Sequence, residues 1–236
     1  MKNNPNKIVL FIVEGVSEEI ALGPILSKII SSNVIKFKVL NGDITSDYYN
    51  VTKQNVLSKI KDHVKNFMGN IFRAEDILEI IHIVDLDGAF VHESKIVYKD
   101  IDSVYYNDTT IETKHVYEIK KRNAFKSSVL NILTTTKSIK ISRKKGGEIP
   151  YKLFYMSCNL DHVIHSERNS LHSLKKSKAI EFADKYFEEE IKFYNFLRSS
   201  DILKDENYTD SWLYIQSDSK SLSRCSNLAL YLDKYF

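Results

Sequence analysis

Three acidic residues carry the clearest chemistry in the chain. Glu14 follows the apolar run from Ile8 to Val13, and Asp85 and Asp87 follow the apolar run from Ile80 to Val84. If the two runs are near-neighbour strands, the three carboxylates converge beyond one edge of a sheet, where open α/β sheets gather their functional groups. Carboxylates held together without paired bases repel one another unless a cation neutralises them. An all-oxygen donor set suits a hard ion, one or two Mg2+ or Mn2+. A divalent ion at an open carboxylate site is suited to phosphoryl chemistry.

The elements that must position these acids follow from hydrophobic patterning. A continuous apolar run such as Ile8 to Val13 fits a strand buried on both faces, as in a parallel sheet. A helix is expected from Ser17, as N-cap, to about Ile30, with Glu18 and Glu19 in its first turn where acids suit the dipole. Val34 to Leu40 reads as a second strand, Asn41-Gly42-Asp43 as a turn, Asn50 to Phe67 as a helix, and Ala74 to Leu78 as a short helix before the third strand. Beyond Asp87, Lys95 to Tyr98 and Ser103 to Tyr106 read as short strands or loop. Tyr117 to Leu133 reads as a helix, Lys140 to Gly147 as a basic loop, and Tyr151 to Met156 as a fourth strand. Asn159 is expected to cap a short helix carrying Asp161, His162 and His165. A stripe of Ile180, Ala183, Phe187, Ile191, Tyr194 and Leu197 marks an amphipathic helix. Trp212 to Ile215 is a short apolar segment, and Ser226 to Tyr235 reads as a final helix. Strands alternating with helices predict an α/β fold with a mostly parallel central sheet flanked by helices. Residues 1–165 form its core, and residues 166–236 form a helical C-terminal extension packed on it.

Composition narrows the rest. Seven Gly and three Pro in 236 residues favour long regular elements and exclude linker-rich or collagen-like architecture. A net charge of +3 is too small for bulk attraction to nucleic acid, so any such contact must come from local patches. Arg143, Lys144 and Lys145 form the best of these, loosened by two following glycines. Lys120-Lys121-Arg122 and Lys175-Lys176 are others, and each reads equally well as a solvated face. Two cysteines, Cys158 and Cys225, provide no disulfide framework. With no signal peptide and no apolar run of the about 18 residues a membrane span needs, a cytoplasmic protein is expected. Gly15 and Gly88 each follow directly on a proposed metal acid.

Val13-Glu14-Gly15 followed by Asp85-x-Asp87 after a later strand resembles the TOPRIM domain of topoisomerases, primases and small nucleases. The longer segment Val13-Glu14-Gly15-Val16-Ser17-Glu18-Glu19 is similar to the form found in OLD-family and RloB-like nucleases, in which a second acid follows the first by four. The resemblance implies a TOPRIM-like fold and a metal-dependent nuclease acting on DNA or RNA. It implies that Glu14, Asp85 and Asp87 are catalytic and metal-binding, with Glu18 as an added metal ligand. The segment from Met156 to His165 resembles the RloB-like turn followed by an acid and then a histidine. It makes Gly15, Asp161 and His165 further candidate active-site residues, with Asp161 standing where glutamate is expected. Relatives of this type, including AbiL-type abortive-infection proteins, imply a role in anti-phage defence. They also imply an ATPase partner, since this chain has no Walker A motif, and homo-oligomerisation is left open.

Two other readings stand beside this one. Ile83-Val84-Asp85-Leu86-Asp87-Gly88 also resembles the first motif of HAD-type phosphatases, in which Asp85 would be the nucleophile. That family places Thr where Ala89 stands and usually opens its fold with the motif. A catalytically inactive TOPRIM module that only binds is the other alternative. His82, inside an apolar strand, reads as a core histidine.

Overall fold

The computed structural model describes residues 7–142 and 147–236. The chain folds around a six-stranded mixed sheet, and eight α-helices lie among the described residues. In order, β1 (Ile8–Val13) leads into α1 (Val16–Ile29), β2 (Val34–Val39), α2 (Val56–Met68) and β3 (Ile77–Asp85). A small three-stranded sheet follows, made of β4 (Ile96–Tyr98), β5 (Tyr105–Tyr106) and β6 (Ile111–Thr113). Then come α3 (Val116–Thr135), β7 (Ser138–Lys140), β8 (Glu148–Ser157) and α4 (Leu160–His165). The chain ends with α5 (His172–Tyr186), α6 (Glu190–Arg198), α7 (Tyr208–Gln216), β9 (Cys225–Ser226) and α8 (Ala229–Leu232).

The central order is β2-β1-β3-β8-β7, with β9 also paired to β8. β2, β1, β3 and β8 run parallel, while β7 and β9 are antiparallel to β8. The strand alternation sorts the core into two layers. Leu10 and Ile12 of β1 face a layer that includes Ile60 and Val64 of α2, Leu130 and Leu133 of α3, and Trp212 of α7. Val9, Phe11 and Val13 face the opposite layer, with Leu22 and Ile25 of α1, Phe182 of α5, Phe193 of α6 and Leu232 of α8. Residues 166–236 therefore complete both layers, and β9 extends the sheet itself. From β1 the chain moves to β2 on one side, and from β3 it moves to β8 on the other. The carboxyl ends of β1 and β3 thus form the crevice where such sheets bind ligands.

Several elements differ from the sequence reading, each for a local reason. α1 is capped by Gly15, not Ser17, because the Glu18 carboxylate takes up the Gly15 N–H at 3.2 Å. α2 begins at Val56, not Asn50. Upstream, Asp47 accepts the Asn50 N–H, and Thr52 and Asn55 bond each other's backbone, so side chains satisfy groups a helix would have used. The expected helix from Ala74 to Leu78 is a single 3-10 turn, and β3 starts at Ile77. The stripe from Ile180 to Leu197 spans two helices, broken between Tyr186 and Glu190. Trp212 to Ile215 lies in α7, whose cap Asn207 accepts the N–H groups of Thr209 and Asp210. The expected last helix gives its first residue to β9 and is regular only over α8. Among the described residues, no helix is long and apolar enough to cross a membrane.

Candidate active site

Glu14, at the end of β1, and Asp85, at the end of β3, meet directly: the Asp85 N–H donates to Glu14 Oε1 at 3.2 Å. Asp85 Oδ1 in turn accepts the Leu160 N–H, in the first turn of α4, at 2.9 Å. Glu18, in the first turn of α1, is buried and turns its carboxylate back toward Gly15. Gly15 has extended backbone, so its freedom to turn is not the reason for it. A Cβ there would stand 3.1 Å from the Glu18 carboxylate, and glycine leaves the room.

Asp87 and Gly88 both take left-handed backbone, with φ of 47° and 77°. The turn they form is held from three sides. The Asp87 N–H donates to the Cys158 carbonyl at 2.8 Å, Arg122 donates to the Asp87 carbonyl at 2.8 Å, and Asn123 donates to the Gly88 carbonyl at 2.9 Å. The side chain of Asp87 accepts from Lys126 at 2.7 Å.

Two site residues were not singled out from sequence. Asp43, just beyond β2, joins Glu14 and Asp87 in a cluster whose carboxylate oxygens lie within 4.8 Å of one another. One Asp43 oxygen accepts from the backbone and hydroxyl of Thr45, and the other accepts from Lys126 at 2.7 Å. Lys126 is fully buried, and its ammonium also lies 3.8 Å from Glu14. Asp43 was legible in principle, since it ends a third parallel strand as Glu14 and Asp85 end theirs. Lys126 also left a signal. Ile119, Asn123, Lys126, Leu130 and Leu133 recur at helical spacing and are all buried, so a lysine occupies a core position.

The electrostatics divide these acids into two sets. Burial and Asp43 hold Glu14 well above the ordinary carboxylate range, with Asp85 and Asp87 pushing the same way against Lys126. Burial, then Glu18 and Asp87, does the same to Asp85. Burial also raises Glu18. These groups carry more negative charge than their surroundings neutralise. Asp43 is the opposite case: burial would raise it, but Lys126 and the Ser46 and Thr45 hydroxyls hold it well below its usual value. Burial works against the Lys126 charge, yet Asp43, Asp87 and Glu14 together keep it firmly protonated.

A cleft of about 450 Å³ opens over the first set, and Glu14, Glu18, Asp43, Asp85 and Asp161 line it. His172, Lys175 and Lys176, from the first turns of α5, line it as well. Asp87 is not among the lining residues. Asp161 therefore joins the acids, as expected, whereas His165 does not. Its Nε2 meets the Lys178 carbonyl at 3.2 Å and its ring packs edge-on against Phe182. His162 accepts the Cys158 N–H at 3.0 Å, and burial followed by Arg168 lowers it to about 4, so it is a neutral structural group. His82 is a core residue bonded to the Tyr151 hydroxyl at 2.7 Å, with its second nitrogen buried and unpartnered. Cys158 and Cys225 are buried and unpaired, their thiols pushed up by burial. Arg143, Lys144 and Lys145 lie outside the described residues. Of the other basic runs, Lys175 and Lys176 reach the cleft, and Arg122 is committed to the Asp87 turn.

Hard oxygen donors of unrelieved negative charge, gathered at an open cleft, fit Mg2+ or Mn2+ and disfavour softer metals. No family model, curated protein or solved structure matches the chain.

Proposed function

We propose that the protein is a metal-dependent nuclease with a TOPRIM-like core, hydrolysing phosphodiester bonds in DNA or RNA. The observation that carries this reading is that one cleft is lined by four acids, Glu14, Glu18, Asp85 and Asp161, and by two lysines, Lys175 and Lys176. Glu14 and Asp85, with Glu18 and Asp161 beside them, would hold Mg2+ or Mn2+. A divalent ion there supplies Lewis-acid activation of the phosphodiester and of the attacking water. The rest is done by the chain. The Leu160 N–H orients Asp85 through one oxygen, and the Asp85 N–H orients Glu14. Lys175 and Lys176 offer the phosphates on either side of the scissile bond a cationic wall, which positions the backbone without reading sequence. A role in anti-phage defence, a separate ATPase partner and a cytoplasmic location belong to the same proposal and rest on the resemblance alone.

The test is incubation of purified protein with plasmid DNA, single-stranded DNA, tRNA and total RNA, in Mg2+, Mn2+ or EDTA. Cleavage is expected with either ion, none in EDTA, and loss of about a hundredfold or more in Glu14→Gln and Asp85→Asn, the scale of removing a group that stabilises transition-state charge. Cleavage that persists in both variants refutes the mechanism. A phosphoryl group trapped on Asp85 would instead establish the HAD-type reading, and nucleic-acid binding without turnover under any ion would establish an inactive module.

A further inference from the structure

Among the described residues, Glu14, Asp43 and Asp87 are the grouping whose carboxylate oxygens already lie within 4.8 Å of one another. That space already holds a cation. The Lys126 ammonium lies 2.7 Å from Asp43 Oδ2, 2.7 Å from Asp87 Oδ2 and 3.8 Å from Glu14 Oε1. We infer that Lys126 is a built-in cation standing where a second divalent ion would sit, so that the protein binds one divalent ion and not two. This rests on the cation site proposed above and fixes its stoichiometry.

Three features hold the lysine in place. Its side chain is fully buried in the layer between α3 and the sheet, so it cannot swing into solvent to make way for an ion. Its helix is pinned to the Asp87-Gly88 turn by the neighbouring Arg122 and Asn123, which fixes the ammonium relative to Asp87. Asp43 has both oxygens engaged, one by Thr45 and one by Lys126, and Asp87 is not among the residues that line the cleft. The acids left to line the cleft are Glu14, Glu18, Asp85 and Asp161, together with Lys175 and Lys176. One ion there, with Glu14 lying between it and Lys126, gives the acids two cationic centres. Asp43 and Asp87 then act as positioning residues for the lysine and do not ligate the ion.

The experiment counts ions without using activity. Mn2+ is titrated into the purified full chain without nucleic acid, and free Mn2+ is read by electron paramagnetic resonance. The wild type should bind one Mn2+ per chain. Lys126→Met, which keeps bulk but removes the charge, should bind two, since the three acids are then open to an ion. Asp43→Asn should still bind one, with affinity within about threefold of wild type, because a lost direct ligand costs well over the roughly 0.7 kcal/mol that threefold represents. Two ions in the wild type, one ion in folded Lys126→Met, or a larger affinity loss in Asp43→Asn each overturn the inference while leaving the nuclease proposal standing. If circular dichroism shows Lys126→Met unfolded, the wild-type count and Asp43→Asn decide. No Mn2+ bound by the wild type overturns the cation site itself, and the proposed function with it.

Discussion

Gly88 follows the acid that grips Lys126, and replacing it tests how tightly that turn is built. A Cβ at this position would lie 2.4 Å from Ile111 Cδ1 and 3.2 Å from Asn123 Nδ2, on a backbone with φ of 77°. Two costs therefore add in Gly88→Ala. Left-handed backbone costs an alanine about 1–2 kcal/mol. Forcing a methyl group into a packed site costs about 1–3 kcal/mol more, since Ile111 is fully buried and has little room to yield. The total is about 2–5 kcal/mol. The clash is separated from the backbone cost through its partner, Ile111.

Equilibrium urea unfolding measures the loss. The handle on the clash is Ile111→Val, which removes the clashing carbon. Alone it should destabilise by about 0.5–1.5 kcal/mol. In the Gly88→Ala background it should cost nothing or restore stability, a non-additivity expected of residues in contact. Additive behaviour of the two substitutions would refute the claim that Gly88 is there for space as well as for φ.

Other predictions follow from the site and the core. A divalent ion at about a hundred times its Kd should stabilise the fold by about 2.7 kcal/mol, which for a chain of this size is about 5–11 °C in Tm; an unchanged melting temperature in Mg2+ and Mn2+ contradicts a cation site. His82 and His162 are held neutral by burial, at about 3 and about 4, so an unfolded chain takes up protons that the folded one refuses as pH falls below the usual histidine value. With Mg2+ saturating, each should remove about 2 kcal/mol of stability between pH 6.5 and pH 5, at about 1.4 kcal/mol per unit. Urea melts of wild type and His82→Gln at the two pH values check the sign, and an equal slope in both excludes His82 as a cause. Lys175→Ala with Lys176→Ala should raise KM for nucleic acid and weaken the salt dependence of binding by about two phosphate contacts. An unchanged salt slope would remove α5 from the substrate path.

Much of this was readable in the residues because it depends on local pattern. Ile8 to Val13 is buried on every side, as an unbroken apolar run requires of a central parallel strand. That Glu14 and Asp85 close strands followed from the apolar runs; that the strands are neighbours was a condition, which the parallel pairing of β1 with β3 meets. What failed was wherever one side chain overrode a local signal. Glu18 took the cap expected of Ser17, and Thr52 and Asn55 delayed α2. The acids were also under-resolved. Asp85 and Asp87 differ by two positions on one motif, yet Asp85 lines the cleft while Asp87 bonds a buried lysine and is not among the lining residues.

Lys126 shows why such a partner is hard to see in sequence. Its charge is far from Asp43 and Asp87 along the chain, and nothing in the spacing of the three announces their meeting. The only trace is negative: a lysine where the helical stripe of α3 calls for an apolar residue. Burying an ammonium is strongly unfavourable unless it is paired and hydrogen-bonded. A buried lysine in an apolar stripe therefore demands carboxylates at its tip, and the ends of β2 and β3 are the places in this sheet where acids are presented. The same reasoning runs in reverse at the cleft. Glu14, Glu18 and Asp85 are also largely shielded from solvent but lack the compensation Lys126 has, and their raised carboxyls mark the part of the cluster that a cation from solution would complete.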